Sequence, residues 1–326
     1  MNIKQFADIV GYSSSTISKI FSGSSEISDE TKEKVITKAK ELGIYDKYNK
    51  NKYDKKVIAL IIPEIESDYY SQYVSLLNKL ALEKNYTLSV SITNFSTNTE
   101  NDLISFYSNG NRADGIIVVD ARTKSKRYSP IPIVFINGDN NGQEYADCIT
   151  TDFSTGINQA IKTLKDNGHT KIAYIGEQLT KDKLNHYLSA MKQNKLHVDS
   201  SLVCISKARF EDAGYFEIKK LYDNNNLPTA ILSGYDYIAL GIIHFLEEKS
   251  LKVPEDISII GIDDIQFASY HKISLSTIKA NTKNICEICM AILTKKINNP
   301  AYKVIQSVKV KSEFINRKSV KNLKNN

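Results

Sequence analysis

A chain of 326 residues exceeds one ordinary domain and predicts two or three folded units. Hydrophobic residues make up 41% and charged residues 25%, which excludes an intrinsically disordered chain. The net charge of +6 is unevenly placed, with 11 lysines against 8 acids in residues 1–56 and 7 basic residues against Glu313 in residues 303–326, so the stretch between is mildly acidic. A basic head fits nucleic acid, and a solvated lysine-rich surface fits the same numbers.

No apolar run reaches the roughly 18–20 residues of a membrane span. The polar start Met1-Asn2-Ile3-Lys4-Gln5 lacks the apolar stretch of a secretory signal. A cytoplasmic protein with no membrane partner is the expectation.

The first 43 residues read as three short helices. Ile3, Phe6, Ala7 and Val10 share one helical face, and Gly11 breaks that helix. Ser13 is placed to cap a second helix, Ser14–Phe21, which buries Ile17, Ile20 and Phe21. Ser28 caps a third, with Asp29 and Glu30 in its first turn, a stripe of Val35, Ile36, Ala39 and Leu42, and Gly43 as its stop. A glycine turn between the first two makes a helix-turn-helix. The outward residues of the second helix, Ser14, Ser15, Ser18 and Lys19, are hydrogen-bonding groups suited to base edges and phosphates. The competing reading is a three-helix bundle that docks on protein. Residues 44–56 are rich in Lys, Asn and Tyr and read as a polar linker.

From Val57 the pattern changes to alternating strands and helices. Strand-like runs are Val57–Ile62, Leu88–Ile92, Gly115–Val119, Ile133–Asn137, Ile172–Gly176, Ala230–Ser233 and Ile257–Ile262, and Tyr73–Lys84 has helical spacing. Such a series predicts an α/β body of two Rossmann-like parallel-sheet subdomains with a cleft between them, where ligands bind beyond the strands' carboxyl ends. Cysteines 148, 204, 286 and 289 do not form a disulfide framework. Cys286-Glu287-Ile288-Cys289 lacks the second pair that a zinc site needs. No phosphate-binding glycine motif appears. Neither metal nor cofactor is expected, nor is an enzyme.

The head string Ile3-Lys4-Gln5-Phe6-Ala7, Gly11-Tyr12-Ser13, Thr16-Ile17-Ser18-Lys19 and Ile27-Ser28 resembles the headpiece of the lactose/galactose-repressor (LacI/GalR) family. The body resembles the same family, and periplasmic sugar-binding proteins, through Asp114-Gly115-Ile116-Ile117, Gly168-His169, Ala239-Leu240-Gly241, and above all Val253-Pro254-Glu255-Asp256-Ile257-Ser258-Ile259-Ile260-Gly261-Ile262-Asp263-Asp264. The match spans nearly the whole chain.

The resemblance implies a ligand-controlled transcriptional repressor of carbohydrate-utilisation genes. It implies a homodimer on double-stranded operator DNA, with a sugar or related effector between the lobes. Ser14, Ser15 and Lys19 would read bases, and Ser13, Thr16, Ser18, Ser28 and Thr31 would contact phosphates. The effector would meet Tyr69, Tyr70, Asn137, Lys183, Tyr235, Asp236 and Asp263. The implied domains are a head at 1–43, a linker at 44–56, a first lobe at 57–152 with 281–305, a second at 153–280 with 306–320, and a basic tail at 321–326. The family's Pro-Asn…Ala-Arg…Leu hinge helix has no counterpart in 44–56. A solute-binding receptor and a sugar-acting enzyme are the alternatives.

Overall fold

The computed structural model describes residues 1–22, 24, 26–48, 56–109, 112–122, 129–138, 146–266 and 273–325. The chain divides into two units, Met1–Lys56 and Val57–Asn326.

In the first unit α1 (Ile3–Val10), α2 (Ser14–Phe21) and α3 (Asp29–Glu41) pack around Phe6, Ile17, Phe21, Val35 and Ala39. Their ends are set by local bonds. Asn2 and Gln5 form a reciprocal capping box on α1 at 2.9 Å each way. Gly11 ends α1 at φ 74, a conformation glycine adopts without strain. Ser13 and Ser28 accept from the backbone N–H of Thr16 and Thr31.

The expected start of the linker at residue 44 needs correction. Ile44 is buried in the head core, and a further helical turn, α4 (Tyr45–Tyr48), stacks Tyr45 and Tyr48 on Phe21, each at 5.9 Å between ring centroids. Tyr48 also donates to the carbonyl of Met1 at 2.7 Å. Aromatic side chains made the segment useful to the core although its composition is polar. Residues 49–55 of the expected linker lie outside the described residues.

The second unit holds two six-stranded sheets. In chain order the elements are β1 (Lys56–Ile62), α5 (Asp68–Glu83), β2 (Tyr86–Ile92), α6 (Thr97–Ser108), β3 (Gly115–Val119), β4 (Ile133–Ile136), β5 (Asp147–Asp152), α7 (Phe153–Asp166), β6 (Ile172–Glu177), α8 (Lys181–Gln193), β7 (Val203–Ser206), α9 (Phe210–Asp223), β8 (Ala230–Ser233), α10 (Asp236–Glu248), β9 (Ser258–Ile262), β10 (Ser276–Lys279), α11 (Thr282–Asn298), β11 (Ser307–Lys311) and β12 (Glu313–Ile315). The first sheet runs β11-β5-β4-β3-β1-β2 and the second β12-β10-β9-β8-β6-β7. β12 is antiparallel to β10, while the ladders β1–β3, β3–β4, β4–β5 and β5–β11, and those joining β7, β6, β8, β9 and β10, are parallel. Helices cover both faces of each sheet, so β3, β6, β8 and β9 are buried throughout and read as unbroken apolar runs.

A second correction concerns residues 306–311. Expected in the second lobe, Ser307–Lys311 instead pair with Cys148–Asp152 at the edge of the first sheet. The chain therefore crosses between lobes from β5 to α7, from β10 to α11, and from β11 to β12. Ser312 ties these crossings together. Its N–H and hydroxyl both donate to the carbonyl of Asp152, at 3.0 and 2.7 Å, and its hydroxyl accepts from the N–H of Gly156 at 3.1 Å. A Cβ on Gly156 would stand 2.5 Å from Ile278 Cγ2, so this close approach requires glycine.

Candidate functional site

Two places gather the residues expected to act. On the head, Ile17, Ile20 and Phe21 fix one face of α2 in the core and thereby leave Ser15, Ser18 and Lys19 exposed, with Ser14 half-buried. Ser13 Oγ also lies 2.8 Å from the hydroxyls of Ser15 and Thr16, and Ser28 Oγ lies 2.9 Å from that of Thr31. The phosphate-contact candidates Ser13, Thr16, Ser28 and Thr31 thus sit in the first turns of α2 and α3, where backbone N–H groups favour an anion. Lys19 is engaged by Glu26 at 2.5 Å, and this ammonium holds the Glu26 carboxyl below its usual range.

In the body a cavity of about 530 Å³ opens at the carboxyl ends of both sheets. Tyr69, Tyr70, Asn137, Lys183, Tyr235 and Asp263 line it. Each is positioned by its element. Ser67 caps α5 and so sends Tyr69 and Tyr70 from its first turn to the cavity. Asn137 follows β4 at φ 53, donates its amide to Tyr69 Oη at 2.8 Å, and accepts from Thr151 N at 2.7 Å. Lys183, on the first turn of α8, donates to Asp263 Oδ1 at 3.1 Å. Its ammonium lies 5.0 to 5.9 Å from the ring centroids of Phe153, Tyr235 and Tyr69.

Asp263 ends β9 at φ 107, a backbone conformation strained for any residue but glycine. Burial raises its carboxyl above the usual range, and Lys183 opposes that rise. A partly desolvated carboxylate beside one ammonium can accept two hydroxyl protons from a ligand.

Asp236 departs from expectation. Its side chain is fully buried and does not line the cavity. Its two oxygens accept from Ile265 N at 2.9 Å and from Thr277 Oγ1 at 2.6 Å, which fixes the loop after β9. Burial raises its carboxyl to about 8. The residue at the start of α10 therefore points into the sheet while its neighbour Tyr235 points into the cleft.

Other residues reach the cavity without having been expected there. Asp120 follows β3 at φ 49, accepts from Tyr70 Oη at 2.6 Å, and is raised to about 6 by burial, with the Tyr70 bond opposing. Phe210 opens α9 at φ 55, with its N–H donating to Tyr235 Oη at 3.0 Å and its ring 5.7 Å from that of Tyr237. Arg122, Asp152, Phe153 and Glu177 also line the cavity. Asp120, Asp152 and Glu177 are findable by applying the strand-end rule to every strand. The aromatic at the head of α9 carries no such local signal.

Among the described residues no group of three or more His, Cys, Asp or Glu side chains is placed to hold a metal, and no helix is long and apolar enough to cross a membrane. Cys286 and Cys289 are buried in α11, and burial pushes the Cys286 thiol up to about 12.

Comparison with known proteins agrees with this layout. A family model described as a periplasmic binding protein-like domain matches residues 161–320. Catabolite control protein A of Priestia megaterium is 26% identical, with 88% of this chain and 89% of that protein covered. The HTH-type transcriptional repressor PurR of Mannheimia succiniciproducens is 26% identical, with 98% and 99% covered. The crystal structure of the lac repressor dimer bound to operator and an anti-inducer superposes with a TM-score of 0.71 at 20% identity, covering 98% of this chain and 99% of that one.

Proposed function

We propose that the chain is a member of the LacI/GalR family of transcriptional regulators, as its full-length relatives indicate, and that it is a DNA-binding repressor controlled by a small molecule held in the cleft of its body. The observation that carries the effector half is the cavity at the sheets' carboxyl ends, where Asp263 and Lys183 meet the rings of Tyr69 and Tyr235. Aromatic faces beside carboxylates suit a sugar, whose apolar ring face stacks while its hydroxyls donate. Arginine would clamp such hydroxyls with a two-pronged fork, and Lys183 supplies a single movable charge instead. The target is carbohydrate-utilisation genes, and the protein acts in the cytoplasm.

On the DNA side, Ser14, Ser15 and Lys19 read base edges while Ser13, Thr16, Ser18, Ser28 and Thr31 hold the backbone. The protein acts as a homodimer, because two heads on a pseudo-palindrome gain what one head cannot. The test has two arms. A thermal-shift screen with mono- and disaccharides identifies a ligand that raises the melting temperature by binding only the native state. Footprinting on the DNA upstream of its own gene, with and without that ligand, then reads operator occupancy. No protection at low salt sinks the repressor reading, and no shift with any sugar sinks the choice of effector class.

A further inference from the structure

Two charged residues outside the cavity join the lobes directly. Glu64 follows β1 in the first lobe and Arg209 precedes α9 in the second. Arg209 Nη1 donates to Glu64 Oε2 at 2.8 Å and Nη2 donates to Oε1 at 3.0 Å, the parallel two-bond arrangement that fixes direction as well as distance. The Glu64 side chain is 8% exposed and that of Arg209 is 32% exposed. The guanidinium lies 5.1 Å from the ring centroid of Phe95 in the first lobe and 4.5 Å from that of Phe210 in the second. Its Nε has no hydrogen-bond partner and lies 3.7 Å from Glu177 Oε1. Neither Glu64 nor Arg209 lines the cavity, although the next residue, Phe210, does.

We infer that Glu64 and Arg209 form a latch that holds the lobes together independently of what fills the cleft. The two bonds are made between lobes by side chains that do not themselves line the cavity, so their strength adds to whatever a ligand contributes. Opening the lobes breaks both bonds at once and withdraws the guanidinium from Phe95. Phe210, whose backbone follows Arg209 and whose partners Tyr235 and Tyr237 are in the same lobe, stays with the guanidinium, so the arginine of the latch and one ring of the cavity wall move as one piece. Water would solvate both charges in the open form. The latch is therefore worth more than an exposed pair and less than a fully buried one, which sets its effect on the open population at roughly tenfold. A ligand that must enter an open cleft sees only that population.

The test reads lobe separation and needs no ligand. Cysteines introduced by Lys79→Cys on α5 and Lys219→Cys on α9, in a Cys204→Ser background, carry nitroxide labels on the full-length protein. Dilution with unlabelled protein isolates the distance within one chain. Glu64→Gln and Arg209→Gln, close in shape and neutral, should each raise the long-distance population roughly tenfold. Glu64→Arg should raise it further, and the exchange Glu64→Arg with Arg209→Glu should restore the short distance. Melting curves establish that each variant is folded. An unchanged distance distribution in the two neutral variants overturns the latch. Restoration failing in a folded exchange variant overturns the ion pair as its cause and leaves the packing of the guanidinium on Phe95 and Phe210.

Discussion

Lys183 and Asp263 come from different parts of the second lobe, 80 residues apart, and meet at 3.1 Å inside the cleft with the Lys183 side chain 16% exposed and that of Asp263 7% exposed. A ligand hydroxyl that reaches Asp263 competes with this ammonium or bridges to it. Asp263→Asn keeps the size of the side chain, bears the same backbone strain as the parent aspartate, and removes the charge. It should weaken sugar affinity by about ten- to a hundredfold, the range for losing a hydrogen bond to a charged group. Operator binding without sugar should be unchanged. Titration calorimetry with the sugar found by thermal shift checks this, and an affinity within twofold of the parent makes Asp263 a partner of Lys183 alone.

Asp236 gives a pH test at a side chain that does not line the cavity. Burial raises its carboxyl from 3.8 to about 8, so the folded protein takes up a proton that the unfolded chain releases in that range. The stability contributed by the neutral acid is fully present below about pH 4 and is lost as pH rises to about 8. Asp236→Asn keeps a neutral hydrogen-bonding group between Ile265 N and Thr277 Oγ1. Urea midpoints measured from pH 4 to 8 should therefore fall less steeply in Asp236→Asn than in the parent. Parallel curves would place the titrating group elsewhere.

How much the sequence discloses follows from how each element is stabilised. The head is set by local signals such as Asn2, Gly11, Ser13 and Ser28, and its first three helices are legible residue by residue. Strands buried on both faces, such as β3 and β9, are legible as apolar runs. The strands missing from the sequence reading are β5, β7, β10, β11 and β12. These are short or polar: β7, β11 and β12 lie at sheet edges, and β5 and β10, though interior, set Thr150, Thr151, Ser276 and Thr277 beside the core residues Ile149 and Ile278. Thr277 on β10 is buried only because Asp236 accepts its hydroxyl, and Ser276 N–H is satisfied by Ser319 Oγ. Such pairs are 41 and 43 residues apart, and no periodicity shows them. The same limit separates Tyr235 from Asp236. Adjacent in sequence, they face opposite ways, and only the partner 41 residues on decides which one enters the cleft.

Ser13 combines two roles that substitution can separate. It caps α2 through Thr16 N–H, and it is proposed to meet a phosphate. Ser13→Ala loses both, with a cap cost of about 1 kcal/mol. Ser13→Asp keeps a capping oxygen and suits the helix dipole, yet places a negative charge where a phosphate would sit. Thermal melting of Ser13→Asp should match the parent while DNA affinity falls at least tenfold, a loss on the scale of one reversed phosphate contact. Equal DNA affinity in Ser13→Asp and parent removes Ser13 from the interface.

Lys19 must leave Glu26 to read a base, so the head carries its own competitor for DNA. The pair is exposed at both side chains, 51% and 66%, and salt screens it. Glu26→Gln frees the ammonium and removes an anion from the turn between α2 and α3. Operator affinity at low salt should rise on the order of two- to fivefold, the range for an exposed pair, and the gain should shrink as salt increases. The double variant with Lys19→Ala distinguishes the two contributions. If Lys19 reads a base, Glu26→Gln helps the specific site more than random DNA in the parent, and that preference disappears in the Lys19→Ala background. Equal gains on both DNAs in both backgrounds would reduce Glu26 to a general repulsive charge and Lys19 to a phosphate contact. Fluorescence anisotropy on operator and scrambled duplexes at two salt concentrations measures all four combinations.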